Sequence, residues 1–214
     1  TFSKALADLN TVLTGGTGAS QDPYDRHPEW GPADLDRTHA LVTSWVWQVP
    51  SAFHNPFANA VLGNWEVNGI LALYSGAPLS ITASQDRSRR AHPNRPNRLS
   101  DPRLSTDRSR SEQIGEYFNR ASYVVNEIGE FGSAPRAEGQ LRGPGEANVS
   151  LGIMKRFRGF AETHNFQFRG EMFNAFNRPN FNDPGTNIDQ PASFGRITSA
   201  GDGRIVQLAL KYIF

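Results

Sequence analysis

Along much of this chain apolar and polar residues alternate with a period of two, the pattern of a strand with one greasy face. Over residues 64–75, Trp65, Val67, Gly69, Leu71 and Leu73 fall on one side, and Glu66, Asn68, Ile70, Ala72 and Tyr74 on the other. Residues 147–157 set Val149, Leu151 and Ile153 against Asn148, Ser150 and Gly152. Residues 164–174 set Phe166, Phe168, Gly170 and Met172 against Asn165, Gln167, Arg169, Glu171 and Phe173. The last stretch, 204–214, sets Val206, Leu208, Leu210, Tyr212 and Phe214 against Gln207, Ala209, Lys211 and Ile213. Residues 38–49 also predict a strand, although Leu41, Trp45, Trp47 and Val49 on one parity face Ala40, Val42 and Val46 on the other. Residues 1–8 read as the tail of a further strand whose beginning is missing.

The connections between these strands alternate in length. Long runs over 9–36, 85–145 and 176–202 are interleaved with a run of about 14 residues (50–63) and a short turn around Arg158 and Glu162. Structureless loops beyond about fifteen residues count against a compact soluble domain. Up-and-down outer-membrane barrels have this asymmetry by construction, with short periplasmic turns and long extracellular loops. With the final strand ending at the periplasm, every long run falls outside the cell. The expected fold is therefore all-β, an antiparallel up-and-down transmembrane β-barrel segment of about six strands with long extracellular loops. Membrane barrels start at about eight strands, so six leave the barrel incomplete.

Composition narrows the function classes. The chain has 214 residues with 22 basic against 21 acidic side chains, a balance that argues against a protein built to grip nucleic acid. It has no cysteine, which removes disulfide scaffolds, thiolate metal sites and cysteine nucleophiles. No run approaches the roughly eighteen apolar residues of a membrane helix, but membrane strands need only about nine to eleven, with polar residues interleaved. Gly (20) and Pro (14) are scattered among polar stretches, which disfavours long helices. Trp45, Trp47, Trp65, Tyr212 and Phe214 lie toward predicted strand ends, where interfacial aromatic girdles sit.

The C-terminus, Gln207-Leu208-Ala209-Leu210-Lys211-Tyr212-Ile213-Phe214, resembles the assembly signal of bacterial outer-membrane barrels at Gln207, Ala209, Tyr212 and Phe214, with Ala209 in place of the usual glycine. The segments TFSKALAD (1–8), DLDRTHALVTSWVWQVP (34–50), GNWEVNGILALYSGAPLSIT (63–82), YFNRASY (117–123), LRGPGEANVSLGIMKRF (141–157), FQFRGEMFNAFNRPNF (166–181) and FGRIT (194–198) occur in that order. Together they resemble the C-terminal end of the Oar-like TonB-dependent receptors, in which a carboxypeptidase-regulatory-like domain and a plug precede a large barrel. That resemblance implies an outer-membrane location and a barrel that takes up or binds a ligand with energy passed through TonB. It also implies that residues 1–214 are the C-terminal part of such a barrel, with the plug and N-terminal domains, and hence any contact with TonB, outside this sequence. The implied partners are outer-membrane lipid and lipopolysaccharide and the barrel assembly machinery; the ligand is unknown.

Candidate site residues follow from the alternation. Gln167, Arg169, Glu171 and Lys211 are expected to face the lumen, Arg169 and Glu171 as an ion pair at i, i+2. Between positions 87 and 110, Arg87, Arg89, Arg90, Arg95, Arg98, Arg103, Arg108 and Arg110 are interspersed with Pro93, Pro96 and Pro102. Either an anion-binding patch or a solvated extracellular loop touching lipopolysaccharide phosphates fits, and the lack of stacking aromatics disfavours nucleic acid. Histidines 27, 39, 54, 92 and 164 lack metal-ligand spacing, so no metal, cofactor or catalytic centre is expected. Gly15-Gly16-Thr17-Gly18 lacks the following Gly-Lys-Ser/Thr of a phosphate cradle, and Asn148-Val149-Ser150 matches a glycosylation acceptor only formally, because it lies in a predicted strand. Two alternatives stay open: a passive channel or adhesin within the membrane class, and a secreted β-sandwich binding carbohydrate through Trp30, Trp45 and Trp47.

Overall fold

The computed structural model describes residues 1–8, 20–50, 54–89, 94–158 and 164–214. In chain order the elements are β1 (Leu6–Ala7), β2 (Gly31–Pro32), β3 (Ala40–Gln48), α1 (Pro56–Leu62), β4 (Trp65–Tyr74), β5 (Pro78–Leu79), β6 (Asn97–Arg98), α2 (Arg110–Gly115), β7 (Tyr123–Val124), β8 (Glu138–Arg142), β9 (Glu146–Arg158), β10 (Asn165–Phe173) and β11 (Ile205–Ile213). The chain divides into two compact units, one made of Ala40–Tyr74, Glu146–Asn180 and Asp202–Phe214, the other of Thr1–His39, Ser75–Gly145 and Phe181–Gly201.

The first unit is a five-stranded antiparallel sheet in the order β11-β10-β9-β4-β3. Each of its strands lies within two residues of a stretch where the sequence alternates. The register is continuous, so one face can be followed across the sheet: Trp47 pairs with Val67, Val67 with Ile153, Ile153 with Gly170 and Gly170 with Leu208. The sheet is open, with β3 and β11 as its edges. The chain leaves β10 through a turn that two asparagines make possible, Asn174 (φ 49°) and Asn177 (φ 52°). Asparagine is among the few residues that tolerate the left-handed region. The Asn174 side chain ties the turn, accepting from the Arg178 amide at 2.9 Å and donating to the carbonyls of Arg178 at 2.9 Å and Asp202 at 3.2 Å.

Residues 1–8 pair at two places: Leu6–Ala7 pairs with β2, and Phe2 forms an isolated antiparallel bridge with His39, the residue directly before β3. Polar anchors hold the segment there: the Ala5 amide donates to Asp36 Oδ1 at 2.8 Å and the Ser3 amide to the Thr38 carbonyl at 3.1 Å. The short turn expected after β9 falls at 159–163, outside the described residues.

The second unit gathers most of the long connections into a structure with its own core. Leu79, Ile81, Phe118, Tyr123, Ala134, Leu141 and Phe194 form its buried cluster. Phe118 meets Tyr123 and Phe194 edge-on, with centroids 5.9 and 5.2 Å apart, the arrangement that ring quadrupoles favour. Gly195 (φ +70°) lets the chain pass this cluster, since a Cβ there would stand 2.7 Å from Arg120 Cγ. Three two-stranded pairings, β1-β2, β5-β8 and β6-β7, supply little ladder. Ion pairs take up much of the rest of the joining.

Candidate functional site

The chemistry of the sheet lies in the contrast between its faces. Gln167, Arg169, Glu171 and Lys211 do share one face: Gln167 pairs with Lys211 on one side and Arg156 on the other, and Glu171 pairs with Gln207. Glu66 and Asn68 carry the same face onto β4, where Glu66 pairs with Gln48 and Asn68 with Gly152. Arg169 Nε lies 3.5 Å from Glu171 Oε1, the ion pair that their spacing predicts. Both side chains are solvated, so the pair contributes at most about 1 kcal/mol. Gln167 Nε2 donates to Met154 Sδ.

The opposite face carries Trp47, Val67, Leu71, Ile153, Phe168 and Leu208. Exposed large apolar side chains such as Leu208 and Leu210 are numerous along it. Contiguous apolar surface of this kind is costly in water and marks an interaction or membrane face. Aromatic rings gather at one end of it. Tyr212 lies 4.9 Å from Phe166 and 5.8 Å from Phe214, centroid to centroid, and contacts the His164 ring, while Trp65 meets Phe168 edge-on at 6.1 Å. Trp45 departs from the expected placement near a strand end: it lies well inside the ladder, opposite Gly69. Of the residues expected to form a C-terminal assembly signal, Gln207 and Ala209 share the polar face with Lys211, and Tyr212 lies with the aromatic group on the other.

One residue on the apolar face is charged. Lys155 pairs with Trp65 and Phe168, and it is 3% exposed. Its Nζ donates to the carbonyls of Val61 at 2.9 Å and Gly63 at 2.7 Å. Sequence reasoning missed it, although its parity with Val149, Leu151 and Ile153 was the available signal.

In the loop unit the arginine-rich tract does not present a row of free cations. Arg95 is buried and pairs with Glu29 at 2.6 Å, Arg98 pairs with Glu138 at 2.9 Å, Arg103 pairs with Asp101 at 2.6 Å, and Arg108 donates to the Glu116 carbonyl at 2.6 Å. Arg110 lies over the Phe181 ring. Arg90 lies outside the described residues. Two arginines beyond the tract do similar work: Arg136 pairs with Asp34 at 2.9 Å and donates to the Glu29 carbonyl at 3.0 Å, and Arg142 pairs with Asp36 at 2.6 Å. Asp101 and Glu116 are close in sequence to Arg103 and Arg108, whereas the partners of Arg95, Arg98, Arg136 and Arg142 come from distant segments that no periodicity announces.

The fields of these pairs are legible in the acids. Burial raises the Glu138 pKa, and the Tyr123 hydroxyl and Arg98 only partly offset it. Tyr123 is itself raised, by burial first and then by Glu138. Burial and the charge of Asp183 push Tyr117 up to about 12. Hydrogen bonds from the side chain and backbone of Arg103 hold exposed Asp101 down at about 2. A cavity of about 470 Å³ opens beside the Arg95–Glu29 pair, lined also by Gln21, Asp22, Asp25 and Phe131. Among the described residues no three His, Asp or Glu side chains gather as metal ligands would. His92 and the Gly15-Gly16-Thr17-Gly18 run lie outside them.

No curated protein and no solved structure matches the chain. A family model does: that of the outer membrane beta barrel domain, over residues 1–207. The match agrees with an open antiparallel sheet of opposed faces and with an outer-membrane location, and the chain belongs to the outer membrane beta barrel domain family.

Proposed function

We propose that this chain forms part of the wall and the outer mouth of an Oar-like TonB-dependent receptor, serving ligand uptake rather than catalysis. The observation that carries this reading is the continuous register of five strands, which sets Gln167, Arg169, Glu171 and Lys211 on one face, together with exposed Val42, Val46 and Ile70, and Trp47, Val67, Ile153, Phe168 and Leu208 on the other. The apolar face meets lipid, and Gln167, Arg169, Glu171 and Lys211 line a wet lumen. The ordered series of receptor-like segments supports the narrower identity, and the ion-paired loop unit supplies the kind of preorganised surface on which a ligand can be held. Gln207, Ala209, Tyr212 and Phe214 serve as the strand signal that the barrel assembly machinery reads. Lipopolysaccharide is the neighbour of the outer loops, and TonB acts through regions N-terminal to the barrel.

A passive channel or an adhesin is the second reading. The outer-membrane family sets aside the secreted sandwich, and Trp30 lies in the loop unit whereas Trp45 and Trp47 lie in the sheet. The test is retention of the intact outer-membrane protein on an immobilised periplasmic domain of TonB. Specific retention supports the receptor. Absence of retention together with steady conductance in planar bilayers would replace it with a passive channel.

A further inference from the structure

The connection between β3 and β4 turns back toward the apolar side of the sheet. Trp65 and Lys155 pair across the β4–β9 ladder on that side, and both reach the carboxyl end of α1. Trp65 Nε1 donates to the Val61 carbonyl at 2.8 Å, and Lys155 Nζ donates to the carbonyls of Val61 and Gly63 at 2.9 and 2.7 Å. The ammonium also lies 5.2 Å from the Trp65 ring centroid and 5.3 Å from that of Phe157. A lone cation on an apolar wall would be costly. Here carbonyls at the negative end of a helix and two ring faces satisfy it.

The same helix displays apolar groups outward. Asn55 caps its start, accepting from the amides of Phe57 and Ala58. Phe57, Val61 and Leu62 are then 78%, 48% and 53% exposed, while Asn59 is half-buried. Phe57 and Val61 are four residues apart and so lie on one side of the helix. The connection belongs to the sheet end that carries Trp65, Phe157, Phe166 and Tyr212, opposite the end from which the long connections depart.

We infer that α1 is an interfacial foot: it lies in the headgroup–acyl boundary of the periplasmic leaflet, beside the barrel wall, with Phe57, Val61 and Leu62 in lipid and Lys155 as the clasp that holds it there. Membrane lipid is the occupant because the helix end is bonded to Trp65 and Lys155 of the lipid-facing surface, and the side chains it exposes, Phe57, Val61 and Leu62, are apolar as that surface is. Amphipathic helices bind in this way through a buried apolar side in the interfacial plane. The inference rests on the proposed lipid-facing assignment of the apolar face.

Residues 1–214 have no cysteine, so single nitroxide labels can be placed in them within the intact protein in outer membranes once any cysteine outside this chain is replaced. Labels at Phe57→Cys and Val61→Cys should show oxygen-to-nickel-complex accessibility ratios several-fold above a label at exposed Asp107, and near that of Leu208→Cys. If Leu208 reads as lipid while Phe57 matches Asp107, the foot is wrong and the face assignment stands. If Leu208 itself reads as water, both fall. Shielding of Phe57 from both reagents would replace lipid with a protein partner and overturn the inference. In Lys155→Met the label at position 57 should become several-fold more mobile, with Leu208 unchanged; an unchanged label at 57 removes Lys155 as the clasp.

Discussion

Trp45 and Gly69 pair across the β3–β4 ladder, and the indole occupies the space a Cβ at Gly69 would need, with Cε2 only 2.6 Å from that point. An aromatic ring laid over a strand glycine compensates for the side chain the glycine lacks. Gly69→Val should expel the indole and destabilise the sheet by about 1–3 kcal/mol, the usual cost of overpacking. A lower unfolding midpoint together with a shifted Trp emission in the assembled protein would register it. Wild-type stability in the variant would show that the ring is not seated there.

Glu29 joins three segments of the loop unit. Its carboxylate accepts from Arg95 at 2.6 Å and from the Gln21 amide at 2.8 Å. Arg95 and Glu29 side chains are 7% and 2% exposed, so removal of one leaves a buried charge uncompensated. Glu29→Ala should cost about 3–5 kcal/mol within the loop unit. Faster proteolysis confined to the loops, with the membrane-embedded strands still protected, is the expected result; unchanged protection would refute the pair's structural role.

Acid should loosen the same unit through Asp36. Burial alone would raise its pKa, but the Arg142 hydrogen bond, the Ala5 amide and the charges of Arg142 and Lys4 outweigh burial and hold it below 3.8. A depressed folded value contributes stability above the unfolded pKa, and that contribution is lost as pH falls through the folded value. Glu138, raised by burial, has the opposite sign: its contribution is present at low pH and lost as pH rises. The contribution of Asp36 is isolated by comparing wild type with Asp36→Asn. Amide exchange in residues 1–8 and 31–39 should accelerate in wild type below about pH 4, and the variant should be weaker at neutral pH with a flatter acid profile. Parallel profiles for the two proteins would contradict the assignment.

The sheet was legible in the sequence because four of its five strands write their own period, while β3 is apolar on both parities. Gln167, Arg169 and Glu171 alternate with Phe166, Phe168 and Met172, and no partner is needed to see it. The loop unit was not legible, because its order comes from pairings across great sequence distance. Arg95 meets Glu29, Arg142 meets Asp36, and Phe194 closes on Phe118. Arg95, which reads as part of a solvated run, is drawn inward by an acid that no local pattern connects to it, while Arg103 stays exposed beside Asp101. Residues 1–8 show both cases: Phe2 bridges His39 directly before β3, while the Ala5 amide is held by the Asp36 carboxylate, a partner no local pattern connects to it. Lys155 shows the converse, since its parity was visible while the helix end that makes it tolerable was not.

The central claim is the orientation of the two faces, and a pair of charge insertions tests it most directly. Leu208 is exposed on the apolar face, and Gln167 lies on the polar face between Arg156 and Lys211. Leu208→Arg should cost about 2–4 kcal/mol near the bilayer midplane, whereas Gln167→Arg adds charge to a wet lumen at little cost. The measurement is the fraction of each full-length variant recovered folded, by heat-modifiable gel mobility, in the outer-membrane fraction. The account predicts a large loss for Leu208→Arg and near wild-type recovery for Gln167→Arg; equal damage from both, or the reverse order, would contradict it.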